Sequence, residues 1–311
     1  MGEFIYFTDE QKRMANEVDL EELLRQHGEK LIPSGRDKRL SSDHSITVRG
    51  NEWFDHATGE GGLAIDFVKK YFRVSFPEAM QMLLGGSCGA TFKKAEPREE
   101  DAPKEFVLPP KNDNMRRVYA YLIQRRKINR DVLTFFAKEG TLYEDAEYHN
   151  AVFAGKDEHG VILHAHKRSV NSSGKSFRQN AEGSNPAYSF HHIGSSDCLY
   201  VFEAPIDMLS FITLNPDCWQ EDSYVALCGV SGIAMHWMLE QNPSIRQVML
   251  CLDNDKAGLL AAQRLSAELE AKGYHAELLL SEKKDWNEDL VQSEEEKRLE
   301  RSEAYDMGFF C

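Results

Sequence analysis

The sequence predicts an α/β protein: a parallel sheet flanked by helices, preceded by a small α+β module and a basic helix-and-hairpin subdomain. Between residues 197 and 290 a short apolar run gives way to a helical pattern four times. The pairs are LYVF then PIDMLSFITL, YVAL then IAMHWMLEQ, VMLCL then KAGLLAAQRLSAELEAKG, and AELLL then NEDLVQ. Apolar runs this short are buried strands, and strands alternating with helices build a parallel sheet with right-handed crossovers. Acids stand at the strand ends: Glu203 after the first, Asp253 and Asp255 after the third, Asp285 shortly after the fourth. The segment before this region is basic. Residues 111–195 hold 13 Lys and Arg against 9 Asp and Glu, although the whole chain has a net charge of −14.

Taken in order, VDLEELLRQHG is spaced as a helix with Gly28 as its stop. Short strands and turns follow to residue 62, then a helix from near Leu63. FPEAMQMLLGG is one more helix, with Pro77 in its first turn and Gly85 beyond its end. These elements make a module over residues 1–91. Residues 92–112, rich in charge and proline and without periodicity, are a linker.

The subdomain at 113–196 opens with a helix whose basic residues Arg116, Arg117, Arg125, Arg126 and Lys127 are interleaved with Tyr119 and Tyr121, and a second helix begins near Asn129. Such a face is either solvated or bound to an anion. NAVFAGKDEHGVILHAHKRSV is a hairpin turning at DEHG. In its second strand His164, His166 and Arg168 share one face, and Val161, Leu163 and Ala165 the other. The tripeptide GKS after it is not a P-loop, because Ser169 stands where the first glycine is required. The strand and helix repeats fill 197–290, and 291–311 is a charged tail.

Acids gathered at the carboxyl ends of parallel strands converge on one crevice. Asp253 and Asp255, two apart, share a side in extended chain, and carboxylates so crowded repel unless a hard cation holds them. Mg²⁺ keeps waters and binds phosphate as well, so the implied substrate is phosphorylated. Asp255 also stands where the following helix needs its cap, and Glu203 could be a plain strand-end acid.

Composition excludes several classes. With 41% hydrophobic residues the chain builds real cores, and with no basic start before an apolar run it reads as cytoplasmic with no membrane partner. The six cysteines form no C-x-x-C pair, so they read as free thiols, and no structural zinc is expected. The acidic balance argues against indiscriminate coating of nucleic acid.

Glu203 at one strand end, then Asp253, Asp255 and Gly258 as Asp-x-Asp-x-x-Gly at another, resembles the Toprim domain of bacterial-type primases, topoisomerases and some nucleases. EAPIDML is similar to its primase form, with Asp207 as the second acid. KDWNEDL resembles the third acidic element, with Asp285 in place and Asn287 where primases often carry Asp. The resemblance implies metal binding by Glu203, Asp207, Asp253, Asp255 and Asp285, with Glu203, Asp253 and Asp255 catalytic and Mg²⁺ or Mn²⁺ as the ion.

Upstream, the order of a helix, SGR, short strands, GEGGLAIDFV and SFPEAMQML is similar to the zinc-binding domain of primases. That domain uses Cys and His, whereas this stretch has no cysteine before Cys88, and His44 and His56 cannot close a tetrahedral site. It is therefore expected to be a zinc-free relative in which Arg36, Lys38, Arg39 and Trp53 could touch a single strand, although Trp53 also suits a core. The basic helices and hairpin resemble the first segment of the primase RNA-polymerase domain. This implies nucleic-acid or nucleotide contacts by Arg125, Arg126, Lys127, Lys167, Arg168, Lys175 and Arg178.

The chain looks most like the primase-related Toprim proteins of plasmids, phages and conjugative elements. The implied activity is Mg²⁺-dependent primer synthesis from nucleoside triphosphates on single-stranded DNA. A Toprim nuclease and a non-catalytic DNA-binding accessory are the alternatives. No helicase-binding segment is recognisable in the tail, so coupling to a helicase or relaxase of the same element would need another protein.

Overall fold

The computed structural model describes residues 7–56, 58–85, 94–95, 105–171 and 177–307, with side chains described to residue 300. Two compact units divide the chain, residues 1–101 and residues 102–311.

In the first unit, helices α1 (Asp9–Asn16) and α2 (Leu20–Gln26) precede five short strands: β1 (Leu31–Ser34), β2 (Asp37–Leu40), β3 (Ile46–Arg49), β4 (Glu52–Asp55) and β5 (Glu60–Leu63). Helices α3 (Ala64–Tyr71) and α4 (Phe76–Leu83) close it. Local chemistry sets the boundaries. Asp19 accepts from the Glu22 N–H at the start of α2, Gly28 ends that helix at φ 81°, and Ser75 with Glu78 forms a capping box for α4. The strands run as an antiparallel meander in sequence order. Their core gathers Leu23, Leu24, Val48, Trp53, Phe67 and Met80. Trp53 is buried, with its ring edge-to-face on Phe67 at 5.9 Å, and His56 Nε2 lies 3.1 Å from Thr47 Oγ1.

The second unit opens with α5 (Arg116–Ala120), which widens into a π-helical turn at Tyr121–Arg125, followed by α6 (Arg130–Lys138) capped by Asn129. A four-stranded antiparallel sheet comes next: β6 (Leu142–Glu144), β7 (Ala151–Lys156), β8 (Ile162–Arg168) and β9 (Arg178–Asn180). The expected hairpin is the β7–β8 pair. Strands β6 and β9 lie outside that expected hairpin. In particular Arg178, expected in a loop, sits on β9 opposite Arg168.

The chain then builds a second sheet from β10 (His191–His192), β11 (Cys198–Phe202), β12 (Ser223–Ala226), β13 (Gln247–Leu250) and β14 (His275–Leu278). Helices α7 (Pro205–Leu214), α8 (Ile233–Gln241), α9 (Lys256–Ala271) and α10 (Trp286–Met307) follow the last four strands. Strand order is β10-β12-β11-β13-β14, parallel except for the two-residue edge strand β10. One of its core clusters spans both halves of the unit. Leu122, Leu133 and Phe153 from the first half pack with Phe190, Phe202, Phe211 and Trp286 from the second. Each such buried side chain contributes about 1.5–3 kcal/mol, so the basic helices and both sheets are held as one body. Cys198, Cys218, Cys228 and Cys251 are free thiols. Among the described residues no helix is long and apolar enough to cross a membrane.

Candidate functional site

Strands β11, β13 and β14 are parallel neighbours, so their carboxyl ends deliver three acid-bearing loops to one edge. Hydrogen bonds hold the second and third loops together. The Asn254 N–H donates to the Lys284 carbonyl at 2.7 Å, and Trp286 Nε1 donates to the Cys251 carbonyl at 3.1 Å. Gly258 permits the tight return into α9, since a Cβ there would lie 2.1 Å from the Asp253 carbonyl oxygen. Gly232, by contrast, is a packing glycine whose missing side chain makes room for Leu265 of α9.

A cleft of about 260 Å³ opens at this edge. Asp207, Asp253 and Asp285 line it, Arg126, Arg168, Arg178 and Lys284 bring four positive charges to it, and His166 joins them from β8, the strand of Arg168. Glu203 is only 8% exposed and lies beside the cleft, where Arg178 Nη2 approaches its Oε1 at 3.4 Å. Asp255 is placed differently from its partner. Its Oδ1 caps α9 by accepting from the Ala257 and Gly258 N–H groups, each at 3.0 Å, while its Oδ2 faces Lys284 Nζ at 3.8 Å.

Crowding and burial show in the protonation of these acids. Burial, then the charge of Asp253, pushes Glu203 up to about 7. Burial, then Asp285, pushes Asp253 up to about 6. Asp207, on the first turn of α7, is raised well above the carboxylate range by burial and by Asp285 and Asp253, and a hydrogen bond from the Asn287 N–H opposes this. Burial and like charge thus act together to disfavour the ionised forms of these acids.

The remaining expected residues are spread more widely. Arg126, Arg168 and Arg178 reach the cleft. Arg125 is exposed on the π-helical turn and is not part of the cleft lining. Lys127 holds the left-handed backbone position after that turn, φ 59°. Lys167 alternates to the opposite face of β8 from Arg168, and Lys175 lies outside the described residues. Three participants escaped the sequence reading. Lys284 could have been found from its place directly before Asp285. His166 was legible from its period-two relation to Arg168. Asn180 had no local signal, because its position comes from pairing with His166 across β8 and β9.

Residues 200–290 match the Toprim-like family, and residues 120–197 match a family described as of unknown function, DUF3991. The parallel sheet with its acids is a Toprim-like domain. Over 329 aligned residues the chain is 26% identical to the uncharacterized protein pXO2-78 of Bacillus anthracis, covering 96% of this chain and 95% of the relative. It is 34% identical over 101 residues to the uncharacterized MG010 homolog of Mycoplasma pneumoniae, covering 31% of this chain and 44% of the relative. Among solved structures, the primase fragment of the bacteriophage T7 primase-helicase protein aligns at 15% identity and a TM-score of 0.46, over 84% of this chain and 94% of that one. The E. coli primase catalytic core aligns at 15% identity and 0.41, over 58% and 69%.

Toprim domains generally bind Mg²⁺. Among the described residues no three His, Cys, Asp or Glu side chains stand close enough to cage a metal. The donor set of the Toprim-like domain nonetheless suits a hard cation. It is all carboxylate, burial and mutual repulsion raise Glu203 and Asp253 above the ordinary carboxylate range, and Mg²⁺ typically takes one or two carboxylates and completes its shell with water and phosphate.

Proposed function

We propose that the Toprim-like domain is the centre of a Mg²⁺-dependent nucleotidyl transferase that builds short RNA primers on single-stranded DNA. The observation that carries this reading is the mixture of charges in one cleft. Asp207, Asp253 and Asp285 line it together with Arg126, Arg168, Arg178 and Lys284. A lone anion would meet the acids and a lone cation the basic groups. A polyphosphate carrying its own divalent ion satisfies both.

In this reading Glu203, Asp253 and Asp255 hold the ion, with Asp207 and Asp285 in support. Bound Mg²⁺ supplies positive charge that activates a 3′ hydroxyl and stabilises departing pyrophosphate. The chain's own part is positioning. Arg168 and Arg178 meet the phosphates from adjacent strands. Arg126 is fixed from behind, with its Nε donating to the Tyr121 hydroxyl at 2.8 Å and its Nη1 to Asn287 Oδ1 at 2.8 Å. Arg178 also approaches Glu203, opposing the rise that burial and Asp253 impose on its carboxyl. The pXO2 label of the Bacillus anthracis relative supports a plasmid setting, with a helicase or relaxase of the same element as partner.

The test incubates the protein with Mg²⁺, single-stranded DNA and labelled ribonucleotides, beside a tube scoring cleavage of labelled DNA. Primers lost in Glu203→Gln and Asp253→Asn are expected. DNA fragments in place of primers would make it a nuclease, and neither product would leave a DNA-binding accessory.

A further inference from the structure

The cleft contains one group that neither a phosphate nor a divalent ion explains. His166 lies on β8 two residues before Arg168 and opposite Asn180 of β9, and it is only 5% exposed. Its Nδ1 stands 2.7 Å from Asn180 Oδ1. An amide oxygen can only accept, so Nδ1 carries the proton and Nε2 keeps a lone pair. Protonating the second nitrogen is opposed by burial and by the charges of Arg178 and Arg168, which hold the imidazole down to about 4 although the Asn180 bond raises it. At neutral pH the ring is therefore an uncharged acceptor among three arginines.

An acceptor repels phosphate oxygens and needs an O–H or N–H on the ligand. Two residues of extended strand separate its Cα from that of Arg168 by about 6.6 Å, roughly a sugar's breadth from a side chain that faces phosphate. Resting on the reading that the cleft takes a nucleoside triphosphate, we propose that His166, oriented by Asn180, accepts a hydrogen bond from the ribose 2′-hydroxyl and so selects ribonucleotides over deoxyribonucleotides. A deoxyribose leaves this acceptor buried and unpaired, which is how a polar site rejects an analogue lacking the matching group. His166 is the specificity residue, and Asn180 is a positioning residue that acts by fixing the tautomer.

Equilibrium titration of the full chain with ATP, 2′-dATP, UTP and 2′-dUTP in Mg²⁺ tests this. The wild type is expected to favour each ribonucleotide on the order of tenfold. His166→Phe and Asn180→Ala should shrink that preference to about twofold or less, with the change falling unequally on the two sugars. Asn180 is exposed, so its substitution leaves the fold intact. Asn180→Asp, whose carboxylate also accepts from Nδ1, should restore the preference. Equal loss for both sugars, no preference in the wild type, or a preference present for ATP and absent for UTP would overturn the assignment. Inorganic tripolyphosphate separates the two levels. If it binds while sugar preference is absent, only the His166 assignment falls. If neither it nor any nucleotide binds, the reading of the cleft falls with it.

Discussion

Asn287 and Arg126 are joined at both ends: the arginine Nη1 donates to the amide oxygen at 2.8 Å, and the amide Nδ2 donates back to the Arg126 carbonyl at 2.9 Å. The same Nδ2 reaches Ser210 Oγ at 2.9 Å, and the Asn287 N–H donates to Asp207. One buried amide thus ties the basic helix to the acidic edge, at the position where the chain departs from the acid of the primase pattern. Asparagine suits it better here. A carboxylate would add negative charge beside Asp207 and could not donate to the carbonyl.

Asn287→Ala removes a buried amide and leaves Arg126 and Ser210 without this partner. We expect a loss of about 2–3 kcal/mol, read from the urea midpoint, with weaker tripolyphosphate binding as Arg126 loses its anchor. An unchanged midpoint would show that the clasp does not stabilise the unit.

Glu203 gives a pH signature. Its folded-state pKa of about 7 lies above the ordinary 4.5, so the folded form binds more protons across that window and stability falls as pH rises from about 4.5 to about 7. Without Mg²⁺, Glu203→Gln should raise stability at pH 8 by about 1–3 kcal/mol and flatten the melting temperature against pH. A variant that melts lower at pH 8 would contradict this.

Mg²⁺ should displace those protons. Calorimetric titration at pH 7 in buffers of different ionisation enthalpy is expected to show release on the order of one proton per ion. Most of that release should vanish in Glu203→Gln. Binding with no proton release would place the ion away from Glu203.

Gly258→Ala forces a methyl against the Asp253 carbonyl, so the turn between β13 and α9 must shift. Expected losses are about 2–4 kcal/mol in stability and at least about tenfold in Mg²⁺ affinity. Gly273→Ala is the comparison, because its neighbourhood is empty and only its φ of 85° is strained. Equal damage from both would mean that backbone conformation, rather than contact with Asp253, governs the site.

The sequence showed the parallel strands and the acids at their ends, because apolar runs and strand-end acids are local signals. It could not show strand order, which depends on how β11 settles between β12 and β13. Nor could it show β9, whose Arg-Gln-Asn has no strand-favouring residue and is ordered only by pairing with β8. Asp255 is instructive in another way. Spacing placed it beside Asp253 on a shared side, yet the strand ends at Leu250, and the departing chain turns Asp255 to cap α9.

Gly155 of β7 carries a consequence for how the unit can move. A methyl there would lie 1.7 Å from the Tyr188 carbonyl oxygen, so β7 meets the Pro186–Tyr188 turn that leads into β10 backbone to backbone, with no room for a side chain between them. A jaw needs a seam that can part, and this one is welded. Phe153 of the same strand lines the cleft, so that wall is a fixed one.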